Sequence, residues 1–330
     1  MIETNRIIEK RIRSSAVYSD LQIILQQLSD SLKAMAECAG SLMSADLSLM
    51  LTSGGKRLRP MLAYMCYRMG GSHGRDIMPL MCMLELMHTA SLIHDDVVDG
   101  AGIRRGKTTI NNQRGNFTAV QSGDFLLAKA MELLKTYKGT GINEMLADVS
   151  YNMTIGELTQ QDTRYRLEKQ STETYFGLIR KKTALLLAAS CWCGAVASGM
   201  NPEDAQYLYN YGEKLGIAFQ LRDDLIDYSD KSGKLPGQDL RNGTFTLPVL
   251  TLTESGVPDS IKELLTKREK TESEVQTLIK YVKDSDALLI AEQTVASISR
   301  EAILELEEFP NSQEKKALSE LVLSLAGRQS

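Results

Sequence analysis

Ile93-His94-Asp95-Asp96-Val97-Val98-Asp99-Gly100 places three carboxylates within five residues, at the end of an apolar run that begins at Ile77. The spacing predicts a helix over Ile77 to Val98, on which Asp95 and Asp99 stand four apart and share a face. Like charges that close repel, and beside apolar surface they call for a compensating cation. Mg²⁺ suits this demand, because one or two carboxylates hold it and water and phosphate oxygens complete its shell. The pattern returns as Leu221-Arg222-Asp223-Asp224-Leu225-Ile226-Asp227-Tyr228. A single Asp-Asp-x-x-Asp reads as a solvated acidic patch. Two copies, each inside apolar helical sequence, point instead to a pair of facing helices that line a cavity for several divalent ions and a diphosphate.

The rest of the chain supports an all-α reading. Apolar positions recur at three and four through Leu21 to Leu51, Met61 to Met69, Phe117 to Tyr137, Ile142 to Tyr165, Thr172 to Ser198 and Pro202 to Tyr228. Helices continue from Asp259 to Leu325, with a break around Pro310. There is no β alternation, no Gly-x-Gly phosphate fingerprint, no repeat and no dividing linker, so residues 1–330 are expected to form one domain. A formal net charge of −4 argues against nucleic acid as a partner and gives the local basic clusters local work. Two such clusters stand out: Ser53-Gly54-Gly55-Lys56-Arg57-Leu58-Arg59-Pro60, and Arg104-Arg105-Gly106-Lys107 just after the first acidic motif. Each reads either as a basic turn neutralised nearby or as a grip on an anion.

Several other classes fall away. Residues Met1 to Asp30 lack the apolar core of a secretory signal, and Arg6, Lys10, Arg11 and Arg13 alternate with isoleucines as in a short amphipathic helix. The uncharged stretch Thr183 to Met200 is rich in Ala, Ser, Gly and Cys, which suits close helix packing better than a membrane span. The five cysteines have no framework spacing and read as buried free thiols of a cytoplasmic protein. Glu85-Leu86-Met87-His88 has the spacing of a di-iron bundle, but with only His73, His88 and His94 in the chain a second Glu-x-x-His is missing.

Taken in order, these motifs resemble those of the trans-isoprenyl diphosphate synthases, or polyprenyl synthetases. Gly54-Gly55-Lys56-Arg57-Leu58-Arg59-Pro60, His88, the first acidic motif with Arg104-Arg105-Gly106-Lys107, Gly156-Glu157-Leu158, Lys182-Thr183-Ala184, Phe219-Gln220 before the second acidic motif, and Gly233-Lys234 with Gly237 and Asp239 follow the family's sequence. The resemblance covers roughly Gly54 to Pro248. It implies a single helical bundle around a deep central cavity, usually dimeric, that condenses isopentenyl diphosphate with an allylic diphosphate by ionisation, condensation and proton elimination. By the same resemblance, Asp95, Asp99 and Asp223 hold Mg²⁺, and Asp96, Asp224 and Asp227 support them. Lys182, Lys234 and Arg104 face the allylic diphosphate, with Thr183 and Gln220 helping to hold substrate and cation. Lys56, Arg59, His88 and Arg105 hold isopentenyl diphosphate. His94 keeps a structural role. Two departures stand out: Thr244 occupies a stretch where many relatives have a lysine, and Arg222 sits directly against the second acidic motif, where it reads as an ion-pair partner.

Short-chain members of the family place large aromatic residues four and five positions before the first aspartate, closing the cavity floor. Here those positions are Ser91 and Ala90, followed by Met87, Leu84 and Met83, with Met153 a contribution from a neighbouring helix. The resemblance therefore implies a long product, about six to nine isoprene units at roughly one unit per 5.4 Å helical turn, of the kind a quinone side chain needs. A geranylgeranyl- or farnesyl-type product is the alternative. So is a subunit of a hetero-oligomeric synthase, catalytic with a small partner or regulatory, although a regulatory subunit usually loses carboxylates and both motifs are intact.

Overall fold

The computed structural model describes residues 17–41, 43–52, 57–104, 106–229 and 236–326. In chain order its helices are α1 (Tyr18–Glu37), α2 (Ser44–Thr52), α3 (Leu58–Met69), α4 (Met78–Val98), α5 (Ile110–Arg114), α6 (Asn116–Leu133), α7 (Ile142–Thr163), α8 (Thr172–Ile179), α9 (Leu185–Ser198) and α10 (Pro202–Ile226). They continue as α11 (Gln238–Arg241), α12 (Leu247–Ser255), α13 (Asp259–Thr266), α14 (Glu272–Lys283), α15 (Ala287–Glu307) and α16 (Gln313–Ala326). The all-α expectation therefore holds, with three local corrections. The first long helical stretch is two helices, α1 and α2, parted at residues 38–43. A short antiparallel hairpin, β1 (Ile103–Arg104) with β2 (Lys107–Thr108), pairs Ile103 with Thr108 and Arg104 with Lys107. Strands of two residues are too short for alternation to reveal them. The stretch from Thr172 to Ser198 is broken between α8 and α9 by a π-helical segment, Arg180–Ala184.

The described chain divides into two compact units. One holds residues 17–145 and 190–205, the other residues 146–189 and 206–326. In the first, α4 packs along α6 and α3. Pro79 opens α4 near its first position, where its missing N–H costs nothing, and the side chain of Asp76 accepts from the Met78 N–H at 3.0 Å. Gly100, at φ +62°, ends it just past the first acidic motif, in a conformation that a residue with a Cβ rarely adopts. The loop that follows is pinned by Asn111, whose Nδ2 donates to the carbonyls of Asp96 at 3.2 Å and Ala101 at 3.1 Å.

Helices α3 and α9 cross at Gly194, where a Cβ would stand 2.1 Å from the backbone oxygen of Ala63. Backbone cannot move aside as a side-chain tip can, so Gly194→Ala should cost about 2–3 kcal/mol. Gly177, on α8, has nothing within 4 Å of the same added atom. Gly177→Ala should be neutral or stabilising by up to ~1 kcal/mol, from helix propensity alone. Urea midpoints of the two variants check the pair; equal midpoints would refute the crossing contact.

In the second unit α10 is clamped by the C-terminal helices. Tyr211 Oη donates to the Leu318 carbonyl at 2.8 Å, Arg222 Nε to the Leu325 carbonyl at 2.8 Å, and Glu305 accepts from Asn210 Nδ2 at 3.1 Å and from Lys214. At Gly216, a Cβ would lie 2.5 Å from Ala184 Cα, so α10 runs hard against the end of the π-helical segment. These contacts fix both the depth and the rotation of the helix that ends in the second acidic motif.

Candidate active site

The partly accessible stripe of α4 is His88, Ser91, Leu92, Asp95 and then Asp99 just beyond it, spaced by three and four as one helical face demands. Asp96 faces the other way and is 2% exposed. Its Oδ1 accepts from Arg104 Nε at 2.6 Å. Burial raises the Asp96 carboxyl above its ordinary range, against the opposing pull of Arg104. Of the two readings of the Arg104 cluster, neutralisation within the protein describes this nitrogen. The Ser91 hydroxyl donates back to the His88 carbonyl at 2.8 Å. Ala90 is fully buried and Met87 nearly so.

The basic turn before α3 divides likewise. Arg57, in the left-handed region at φ 51°, forms an ion pair with the buried Glu85 and donates to the Leu51 carbonyl. Its charge is consumed inside the unit. Glu85, the residue that suggested di-iron chemistry, is the counter-ion of Arg57, while Arg59 remains half-buried and His88 lies on the stripe. Glu85→Ala would strand a buried guanidinium and should cost about 3–5 kcal/mol. The double variant Arg57→Leu/Glu85→Leu should recover most of that loss in denaturant titration, and additive losses would refute the pairing.

The second motif repeats the first motif's division of labour. Asp223 is half-buried on the same face of α10 as Gln220, whereas Asp224 is 6% exposed and turned inward. Tyr175 Oη donates to Asp224 Oδ2 at 2.6 Å, and Gln220 Nε2 to its Oδ1 at 2.8 Å. Burial pushes the Asp224 carboxyl up to about 7, with Asp223 and Asp227 adding to the rise and the two hydrogen bonds opposing it. The nearby Asp239 is also pushed well above its ordinary range, by burial and then by Asp224, Asp227 and Asp223. Asp227 accepts from the backbone N–H groups of Gln238 at 3.2 Å and Asp239 at 3.1 Å, capping the short α11.

Lys182 and Thr183 project from the π-helical segment, an irregularity often found at functional sites. Lys182 Nζ lies 2.8 Å from Glu157 Oε1 and also donates to Gln160, whose amide in turn donates to Thr244 Oγ1 at 3.3 Å. Thr183 Oγ1 donates to Gln220 Oε1 at 2.8 Å. Among the described residues no three His, Cys, Asp or Glu side chains form a ready-made metal cage. The carboxylate pairs nevertheless suit a hard cation that draws its remaining ligands from phosphate and water. Burial raises Asp224 and Asp239 first, and the neighbouring carboxylates add a repulsion that a bound cation would offset.

The polyprenyl synthetase family model matches residues 41–282, most of the chain. The chain belongs to the polyprenyl synthetase family. It is 31% identical to heptaprenyl diphosphate synthase component 2 of Bacillus subtilis, over 96% of this chain and 90% of that protein. It is 34% identical to nonaprenyl diphosphate synthase of Mycobacterium tuberculosis, over 86% of each. The crystal structure of heptaprenyl diphosphate synthase from Staphylococcus aureus superposes with a TM-score of 0.86 at 28% identity, covering 94% of this chain and 98% of that one. This synthetase is thus a prenyltransferase with the all-α isoprenoid synthase fold.

Several expectations for the synthetase need correction. Arg222 does not pair with the acidic motif beside it, because it turns to the carbonyl end of α16, where a cation is favoured. Not all cysteines are buried: Cys38 is exposed, while Cys66, Cys82, Cys191 and Cys193 are buried and free. His94 does have a structural setting, its Nε2 3.3 Å from the Val120 carbonyl and its ring against Gly123. Lys56, Arg105 and Lys234, with Gly54, Gly55 and Gly233, lie outside the described residues. No described helix is long and apolar enough to cross a membrane. Sequence reading missed Tyr175 and Gln160 as partners of the site residues, and named Glu157 only within the Gly156-Glu157-Leu158 motif and not as the partner of Lys182.

Proposed function

We propose that this synthetase condenses isopentenyl diphosphate with an allylic diphosphate in the presence of Mg²⁺, giving an all-trans polyprenyl diphosphate of about six to nine isoprene units, one unit per roughly 5.4 Å of helix. The observation that carries the reading is the repeated arrangement of the two acidic motifs. In each, one aspartate is locked inward and a neighbouring carboxylate stays on the accessible helix face. Asp95, Asp99 and Asp223 would hold the cation, with the allylic diphosphate and water completing its shell. When bound, Mg²⁺ supplies the charge neutralisation that makes a diphosphate a good leaving group. Lys182, Thr183, Gln220 and Arg104 orient the allylic substrate, joined by Lys234. His88 and Arg59, with Lys56 and Arg105, hold isopentenyl diphosphate. The prenyl tail follows the Ser91 and Met87 side of α4, where no aromatic blocks it.

The product range is supported by the heptaprenyl and nonaprenyl relatives. The family match from 41 to 282 supports one functional domain across both units. A homodimer is the simplest assembly. The Bacillus relative is named a second component, which favours testing for a small partner subunit. We place the protein in the cytosol, on the support of its free buried thiols.

The deciding experiment incubates the purified protein alone with Mg²⁺, isopentenyl diphosphate and, separately, geranyl, farnesyl or geranylgeranyl diphosphate, then sizes the dephosphorylated products. A ladder ending at a defined long chain is the expected result. No product from any primer refutes a self-sufficient synthase and directs the search to a partner subunit, with size-exclusion giving the state of the isolated chain.

A further inference from the structure

We propose that Tyr175 is a positioning residue for the second acidic motif, acting through Asp224 to fix how Asp223 meets the diphosphate and its cation. This rests on the function proposed above and adds a residue that the motifs do not contain. Tyr175 lies on α8, 5% exposed, one to two turns before the π-helical segment that carries Lys182 and Thr183. Its hydroxyl donates to Asp224 Oδ2 at 2.6 Å. A second thread leaves the same stretch of chain, since Thr183 donates to Gln220 at 2.8 Å and Gln220 donates to Asp224 Oδ1 at 2.8 Å. One oxygen of Asp224 is therefore held directly from α8, and the other by Gln220 of α10 itself, which Thr183 of the π-helical segment holds in turn. Asp227 is meanwhile spent on the N–H groups that open α11.

The consequence is geometric. Asp223 and Asp224 are consecutive on the last turns of α10, so the rotation that buries one sets the direction of the other, about 100° away. Tyr175, bonded to Asp224, and Thr183, bonded to Gln220, hold that rotation from outside the helix. The groups expected to touch the allylic diphosphate, Lys182, Thr183 and Asp223, are thereby registered against one another through a buried carboxylate that need not touch the substrate itself. Outer partners that orient a metal-binding carboxylate typically matter at the level of 10–100-fold in affinity or activity.

Tyr175→Phe keeps the ring and removes only the hydroxyl. The first readout is calorimetric binding of Mg²⁺ in the presence of inorganic diphosphate, which needs no turnover; affinity should fall by on the order of 10-fold. The second is a kinetic split: the Mg²⁺ requirement and the KM for the allylic diphosphate rise, and the KM for isopentenyl diphosphate does not. Leu306→Ala, a fully buried position on α15, serves as a control for general destabilisation and should leave Mg²⁺ affinity unchanged. In an Asp224→Asn background, Tyr175→Phe should add little, because the two act as one unit. Unchanged Mg²⁺ affinity in Tyr175→Phe, an equal shift in Leu306→Ala, or full additivity with Asp224→Asn would each overturn the role. A wild type that elongates no primer would instead overturn the function on which it rests.

Discussion

Asp223→Ala and Asp95→Ala should each lower condensation by at least about 10³-fold, the rate equivalent of roughly 4 kcal/mol, with the fold retained. Both side chains are only half-buried, so water can take over from either carboxylate when it is removed. Their neighbours should behave differently. Asp96→Ala leaves Arg104 without its 2.6 Å partner, and Asp224→Ala leaves the hydroxyl of Tyr175 and the amide of Gln220 unsatisfied. Each of these should cost about 1–3 kcal/mol of stability in addition to any loss of rate. Product formation by radiolabelled isopentenyl diphosphate, read beside urea midpoints, separates the two classes. Near-normal turnover in Asp223→Ala or Asp95→Ala would sink the assignment of those carboxylates to the cation, and a large stability loss in either would show that the inward and outward aspartates had been exchanged.

Ser91→Phe should shorten the product to about three or four isoprene units, since one helical turn of 5.4 Å spans roughly one unit and Ser91 lies one turn before Asp95. Ser91 is half-buried on the Asp95 face, so an aromatic ring has room there to close the path of the growing tail. The neighbouring Ala90 is 0% exposed. Ala90→Phe should shorten the product too, but an enlarged side chain in a packed interior costs about 1–3 kcal/mol and clouds the outcome. Chromatographic sizing of the dephosphorylated products decides, and an unchanged chain length in Ser91→Phe would remove the argument that small residues before the first motif set the length.

The helical class and the two carboxylate motifs were legible from residue spacing, and the chemistry expected of the site came from the family resemblance of the ordered motifs. Period-3.6 apolar runs are local, and a helix such as α4 follows from Pro79 at its start, Gly100 at its end and the apolar run between. Four-residue spacing placed Asp95 and Asp99 on one face, and the structure adds His88 and Ser91 to it. What spacing could not say is which charges are spent inside the protein. Arg57 and Arg104 looked equally suited to bind an anion and Arg222 to pair with the acidic motif beside it, yet Glu85 takes Arg57, Asp96 takes Arg104 Nε, and the carbonyl end of α16 takes Arg222. Glu85 is 28 positions from Arg57 and Leu325 is 103 from Arg222. The sequence by itself determined the inventory of charged groups and the helix faces that display them, because both depend on neighbours within a turn or two. Only the tertiary structure decided which of those charges are neutralised and which carboxylates face inward, because burial and counter-ions come from beyond a helical turn or two, from 8 positions for Arg104 to 103 for Arg222.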